Sequence, residues 1–303
     1  MNTDQRREGV GRFGPGYRFR WAQAIIRLRR FPIVAGTILS LILLMGLIGP
    51  YVAPHDPRGG ELKDSLLPPV WLDGGSGEYL LGTDRFGRDM FSRLVAGARI
   101  SLMVSFSTVL AAAAIGTVLG IAAAQFGGIV DSLIMRLVDI LLGFPLILIA
   151  IVVAVVLGPS LQNVILLIAF TVWGGYARLI RGEVLSIRER DFVAAARICG
   201  APWHRIMFVH LFPNIVPILT VLATLQLGNI IILESSLSYL GVGIPPPTPA
   251  WGLMISDGRD YVVDAWWISV VPGVAILLTV MSMNLFGDWL RDTVDPFQRQ
   301  ARR

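Results

Sequence analysis

Six long apolar runs constrain this chain more than any other feature of its sequence. A helix needs about 20 apolar residues to cross the hydrocarbon layer, because every backbone group must find its partner within the helix. The composition agrees, since 54% of the residues are hydrophobic and only 16% are charged. The sequence therefore predicts an all-α integral membrane protein with six transmembrane helices. The runs cover residues 33–52, 100–124, 133–157, 161–180, 215–240 and 266–290.

The distribution of arginine predicts the orientation of these helices. Arginines crowd the first 32 residues, where they face only Asp4 and Glu8, so the positive-inside rule places this leader in the cytoplasm. Six crossings return the C-terminus to the same side. The predicted divisions are a leader (1–32), a first transmembrane helix (33–52), an extracytoplasmic segment (53–99), a five-helix core (100–290) with a cytoplasmic loop (181–213), and a cytoplasmic tail (291–303).

Residue counts exclude several kinds of site. Cys199 is the only cysteine, which excludes an intrachain disulfide. Lys63 is the only lysine and it follows a leucine, so the chain has no G-x-x-x-x-G-K-[ST] loop for ATP. The sequence also lacks the H-E-x-x-H and G-x-S-x-G motifs of metalloproteases and serine hydrolases. We therefore expect no catalytic residues, no metal site and no cofactor bound by this chain.

Small residues recur in the second apolar run. Gly116 and Gly120 stand four apart and follow a run of alanines. Such spacing lets two membrane helices approach closely. We expect this run to pack tightly against a neighbouring helix.

Ionisable residues inside the runs are candidates for function, because charge in hydrocarbon is costly. Arg136 and Asp139 are three residues apart, which favours a pair on one helix face. Glu234 lies in the outer half of the fifth run and favours the interior of the bundle. Two roles stay open for Glu234: a contact with substrate and a hydrogen bond between helices. The candidate pathway-lining residues are Gln226, Asn229, Glu234 and Ser235.

The loop between the fourth and fifth runs has the features of a docking surface. Its apolar residues recur at steps of three and four, which predicts one apolar helix face. Gly200 is placed to end a first short helix and Pro202 to begin a second. A helix lying on the membrane surface is an alternative on periodicity alone. The residues of the predicted face are Phe192, Ala195, Ala196, Cys199, Trp203 and Ile206.

The same loop resembles the cytoplasmic EAA motif of ABC importer permeases. The motif is matched by Ala194-Ala195-Ala196, by Gly200 and by Phe212-Pro213. Outside the loop, the chain is similar to the second permease subunit of the dipeptide/oligopeptide/nickel branch. Three blocks that carry this resemblance are Leu81-Gly82-Thr83-Asp84-Arg85-Phe86-Gly87-Arg88-Asp89, Glu234-Ser235-Ser236-Leu237-Ser238-Tyr239-Leu240-Gly241 and Asn284-Leu285-Phe286-Gly287-Asp288-Trp289-Leu290-Arg291-Asp292. In the first block we expect turn and capping roles for Asp84, Gly87 and Asp89.

The resemblance implies a six-helix permease of the bacterial cytoplasmic (inner) membrane, with a cytoplasmic coupling helix. It implies a heterodimer with a second permease, two ATP-binding subunits that hold ATP and Mg, an extracytoplasmic solute-binding protein and membrane lipids as partners, and no nucleic acid. Short peptides are the expected cargo. Alternatives are nickel, glutathione or opine-like solutes, or a self-sufficient secondary transporter or channel.

The resemblance also implies which residues couple transport to ATP hydrolysis. The expected coupling residues are Asp191, Phe192, Ala194, Ala195, Ala196, Arg197, Gly200, Trp203 and Pro213. One position departs from the family pattern, because Ala194 stands where the motif has glutamate. We hypothesise that Asp191 or Glu189 supplies the missing carboxylate.

Overall fold

A computed structural model describes residues 32–294, so the predicted leader up to residue 31 and the tail from residue 295 lie outside the described residues. The described part is helical and has no β-strand beyond a single bridge between Thr83 and Asp89. Its helices are α1 (Ile33–Val52), α2 (Met90–Phe126), α3 (Gly128–Gly143), α4 (Leu146–Leu157), α5 (Leu161–Arg188), α6 (Asp191–Ile198), α7 (Trp203–Tyr239), α8 (Trp251–Gly258) and α9 (Trp267–Val294).

Within residues 32–294, four helices are each long and apolar enough to cross a membrane: α2, α5, α7 and α9. Together α3 and α4 make a fifth span if they are counted as one, but they are bent by 89°. α1 has the bounds of the first predicted run. Its apolar stretch covers only Ile33–Gly49, which is shorter than the length required of a membrane span. The third run is therefore not one straight helix. The bend falls at Phe144, whose backbone is extended, because the residue before a proline disfavours the helical conformation.

α2 is the central helix of the bundle. It starts ten residues before its apolar run, because the Asp89 carboxylate accepts hydrogen bonds from the backbone N–H groups of Phe91 and Ser92 and caps the helix. Its small residues lie against α5, as predicted. A β-carbon added at Gly116 would lie 2.5 Å from Cβ of Tyr176 and 2.6 Å from the carbonyl oxygen of Trp173. The backbones of α2 and α5 are therefore in direct contact.

Residues 53–89, named the outer segment after their predicted extracytoplasmic side, fold into turns over the N-terminal end of α2. Asp84 holds the tightest of these turns, since its Oδ1 accepts from the backbone N–H groups of Phe86 (2.9 Å) and Arg88 (3.0 Å). Gly87 adopts a positive φ of 73° and lies against Glu61. The predicted turn and capping roles in this block are confirmed.

A short helix that hydropathy missed, α8, is buried beside the outer segment. Trp251 at its start is fully buried, and its indole N–H donates to the carbonyl oxygen of Leu94 at 2.9 Å. Trp267 at the start of α9 donates in the same way to the carbonyl oxygen of Thr83 at 3.1 Å. These tryptophans connect the outer segment, α8 and α9 to the N-terminal end of α2.

Two aspartate–arginine pairs connect α3 to α5. Arg181 donates from Nη2 to Asp131 at 2.6 Å, and Arg178 forms an ion pair with Asp139. The predicted pairing of Asp139 with Arg136 on one helix is therefore wrong. Asp139 pairs with an arginine of the facing helix instead, and Arg136 is exposed.

Candidate functional site

The elbow (residues 189–213) consists of α6, a turn and the first part of α7. Gly200 has a φ of +75° and ends α6. Its N–H donates to the carbonyl of Arg197 at 2.9 Å, and the N–H of Ala201 donates to the carbonyl of Ala196 at 3.0 Å. This is a Schellman motif, which satisfies the last carbonyls of a helix. Pro202 then caps the next helix, so both positions have the roles that the sequence predicted.

The elbow is fixed to the C-terminal ends of α2 and α5. Val193 of α6 is fully buried and packs in one apolar cluster with Ile187 of α5 and Ile206 of α7. Ala124 near the end of α2 belongs to the same cluster, and its carbonyl oxygen accepts from Nη1 of Arg188, the last residue of α5, at 2.9 Å. The elbow is therefore close-packed against both helices, and close-packed groups resist deformation.

The opposite side of the elbow is exposed, and here the predicted apolar face is corrected. Phe192 and Trp203 are 40% and 54% exposed, whereas Val193, which the prediction left out, forms the anchor. Of the predicted face only Ile206 is buried, and Ala196 is half-buried. In an eight-residue helix with apolar residues on neighbouring positions, periodicity does not decide which side faces the bundle.

The expected coupling residues share this exposed surface. Asp191 and Glu189 are both exposed, and neither makes a side-chain hydrogen bond or ion pair within residues 32–294. Asp191 is in the first turn of α6, where a carboxylate is favoured by the helix dipole. The other exposed members of the set are Phe192, Ala194, Ala195, Arg197, Gly200, Trp203 and Pro213.

A π-helical turn at Ile206–Leu211 lies within α7, between its first turn and its long apolar part. Pro213 follows and has no N–H to donate, so a regular α-helix would leave a carbonyl unpaired here. Within the turn, the N–H of Phe212 donates to the carbonyl of Met207, five residues back. Turns of this kind often mark functional positions in helices.

The four candidate pathway residues differ in burial and in hydrogen-bond partners. Glu234 is fully buried, and its Oε1 accepts from the Ser238 hydroxyl at 2.8 Å. Asn229 is exposed and donates to the half-buried Gln226 at 3.3 Å. Ser235 lines a groove of about 410 Å³ between α7, α8 and α9, and Glu234 does not. Their role as pathway-lining residues stays a prediction.

Replacing Gly200 with alanine is expected to loosen α6. No atom lies within 4 Å of an added β-carbon, so the cost comes from the positive φ and is about 1 kcal/mol. Hydrogen–deuterium exchange of the α6 amides should quicken about fivefold. Gly182→Ala in α5 is the control, because that glycine also has open space around it without a positive φ. Equal exchange in the two variants would contradict this explanation.

Known proteins resemble this chain in sequence and in fold. Residues 116–300 match the family model described as "Binding-protein-dependent transport system inner membrane component". The di/tripeptide transport system permease protein DppC of Pseudomonas aeruginosa is 44% identical over 87% of both chains. The dipeptide transport system permease protein DppC of Haemophilus influenzae is 42% identical over 88% of this chain and 90% of its own.

A solved structure has a similar fold. It is that of the MetNI methionine ABC transporter in an inward-facing conformation, with a TM-score of 0.56 and 21% sequence identity. The alignment covers 68% of this chain and 98% of the other. The family resemblance seen in the sequence blocks is confirmed by the family model and by the relatives. This chain belongs to the family of inner membrane components of binding-protein-dependent transport systems.

Proposed function

We propose that this chain is one permease subunit of an ATP-driven importer, and that short peptides delivered by an extracytoplasmic binding protein are its cargo. The observation that carries the proposal is the elbow, which is exposed on one side and packed onto α2 and α5 on the other. The di/tripeptide and dipeptide permeases among the relatives support the choice of cargo. The chain would cross the membrane six times, counting α1 and the bent α3–α4 pair, with both termini in the cytoplasm.

The elbow would be the contact with a separate ATP-binding subunit. Phe192 and Trp203 project from it as large apolar groups, and such groups are typical anchors of protein interfaces. When two ATP-binding subunits close around ATP and Mg, they would carry the elbow with them. The packed cluster around Val193 would then pass the motion to α2 and α5 as a rigid-body movement. A second permease subunit would complete the pathway.

Purification of the tagged chain from its native membrane in mild detergent tests this proposal. Mass spectrometry should identify a second permease and P-loop ATPases in the same complex. The binding protein, captured with the complex in a nucleotide-free state, should bind di- and tripeptides in calorimetry. Recovery of the chain alone, from a membrane whose other complexes stay intact, would contradict the importer assignment. A binding protein that takes only nickel, glutathione or an opine would contradict the peptide assignment alone.

Reversal of charge at Asp191 is expected to uncouple ATP hydrolysis from transport. Asp191→Lys removes the free carboxylate at the start of α6 and repels a basic partner group, so peptide uptake per ATP hydrolysed should fall about tenfold. Glu189→Lys makes the same charge change two residues earlier. Uptake and hydrolysis are measured together in proteoliposomes. A loss of coupling in Glu189→Lys alone would assign the missing carboxylate to Glu189. Normal coupling in both variants would contradict the hypothesis.

A further inference from the structure

A cluster of charged residues in the outer segment and α8 has one more arginine than it has carboxylates. Arg85, Arg88 and Arg93 surround Asp84 and Asp257. Arg88 donates from Nε to Asp84 at 2.6 Å and from Nη2 to Asp257 at 3.1 Å. Arg93 donates to Asp257 at 3.3 Å and to the carbonyl oxygen of Pro57 at 3.4 Å. The cluster therefore keeps a net charge of +1.

The unbalanced charge is presented to the surface by Arg85. The side chains of Arg88 and Arg93 are 7% and 1% exposed, whereas that of Arg85 is 39% exposed. Within the described residues, the Arg85 side chain makes one hydrogen bond, to Asp257, and it is 3.5 Å long. Its Nε is buried and has no hydrogen-bond partner within residues 32–294. Arg85 is thus the member of the cluster whose guanidinium is both exposed and incompletely paired, since only its Nη2 makes a hydrogen bond within residues 32–294.

The arginine is held in place for such a contact. Its guanidinium lies over the ring of Phe86, 4.5 Å from the centroid, and Arg88 lies near the same ring at 4.7 Å. Phe86 is itself exposed. A guanidinium stacked on an aromatic ring keeps its fork of donors oriented toward a carboxylate, and less side-chain entropy is lost on binding.

Two exposed acidic side chains, one in the outer segment and one directly after α8, are paired with basic neighbours of their own. Lys63 lies 2.7 Å from Glu61, and the hydrogen bond and the charge of Lys63 lower the pKa of the Glu61 carboxyl. Asp260 lies 3.4 Å from Arg259. Within the described residues, Arg85 forms no ion pair other than the one with Asp257. Within the described residues the three arginines thus share two carboxylates, and this leaves the exposed Arg85 available to a carboxylate of another molecule.

We infer that Arg85 and Phe86 form a docking point for a carboxylate side chain of the extracytoplasmic binding protein. The inference depends on the proposed function, because that function places the outer segment on the side from which a binding protein approaches. It adds the contact residues and their chemistry: an acidic group of the binding protein meets the guanidinium fork of Arg85, beside the exposed ring of Phe86. The attraction between the two charges should weaken as salt is added.

The test measures ATP hydrolysis by the complete transporter in nanodiscs while the purified binding protein is titrated. With Arg85→Gln, the concentration of binding protein that gives half-maximal stimulation should rise about tenfold, and with Arg85→Lys about threefold. The increase in the half-maximal concentration caused by Arg85→Gln should be smaller in high salt. The control is Arg259→Gln, an exposed arginine in the 3₁₀ turn after α8, already paired with Asp260, and it should leave the half-maximal concentration unchanged.

A photo-crosslinking amino acid in place of Phe86 provides a readout that does not depend on hydrolysis. A crosslink to the binding protein supports the inference, and a crosslink to the second permease overturns it. A half-maximal concentration in Arg85→Gln equal to that of Arg259→Gln also overturns it. If no binding protein stimulates the wild-type complex, the proposed function itself fails, which separates the two failures.

Discussion

Replacing Gly116 with alanine is expected to destabilise the bundle by about 3 kcal/mol, because the new methyl group has no space at the contact between α2 and α5. The β-carbon would lie 2.6 Å from the carbonyl oxygen of Trp173 and 3.0 Å from the backbone nitrogen of Ala177. Those atoms belong to a helix backbone and cannot rotate away as a side chain can. The two helices would have to separate along their length.

Thermal unfolding of the purified chain in detergent measures this effect. Gly175→Ala is the matched control, since Gly175 belongs to the same α5 stretch but has no atom within 4 Å of an added β-carbon. Alanine there should be neutral, or stabilising by about 0.5 kcal/mol, because glycine is a weak helix former. Equal unfolding temperatures for the Gly116 and Gly175 variants would mean that α2 and α5 are not in backbone contact.

Asp257→Asn is expected to cost about 3–5 kcal/mol, because it leaves buried arginines without their counter-charge. Three guanidinium groups lie within 3.5 Å of this carboxylate, and Asp84 alone would then face all of them. The outer segment and α8 are connected through this residue. We expect the variant to unfold at a lower temperature and the outer segment to become sensitive to protease.

Asp260→Asn makes the same change three residues later, at a side chain that is 70% exposed and paired with Arg259. An exposed ion pair contributes little, so the loss there should be below about 1 kcal/mol. Comparable losses in the Asp257 and Asp260 variants would show that the cluster is not held together by its buried carboxylate.

Local chemistry was enough to predict some parts of the functional surface. A glycine followed two residues later by a proline has few compatible backbone conformations, so the end of α6 at Gly200 and the start of the next helix after Pro202 followed from the sequence. The same holds for Asp84 and Asp89, because the backbone N–H groups that follow lie within reach of a short carboxylate side chain.

Side-chain partners from distant segments were beyond such reasoning. Asp139 was matched with Arg136 on its own helix, but Arg178 of α5 takes that place. Asp257 and the three arginines are more than 160 residues apart in the chain, and no local pattern connects them. The helix α8 was missed because eight residues are too few to register as a membrane span.

The amino-acid sequence was sufficient to predict a helical membrane protein, the positions of its apolar runs and its family. Each of these rests on properties that add up along a contiguous segment, such as the free energy of transferring 20 or so residues into lipid, or on ordered blocks of residues. Tertiary packing was needed to show that Val193 rather than Phe192 faces the bundle, that the buried Glu234 accepts from Ser238 of its own helix, and that Arg85 exposes the unbalanced charge of its cluster. Burial and ion pairing depend on which distant segments meet, and that is fixed by packing in three dimensions.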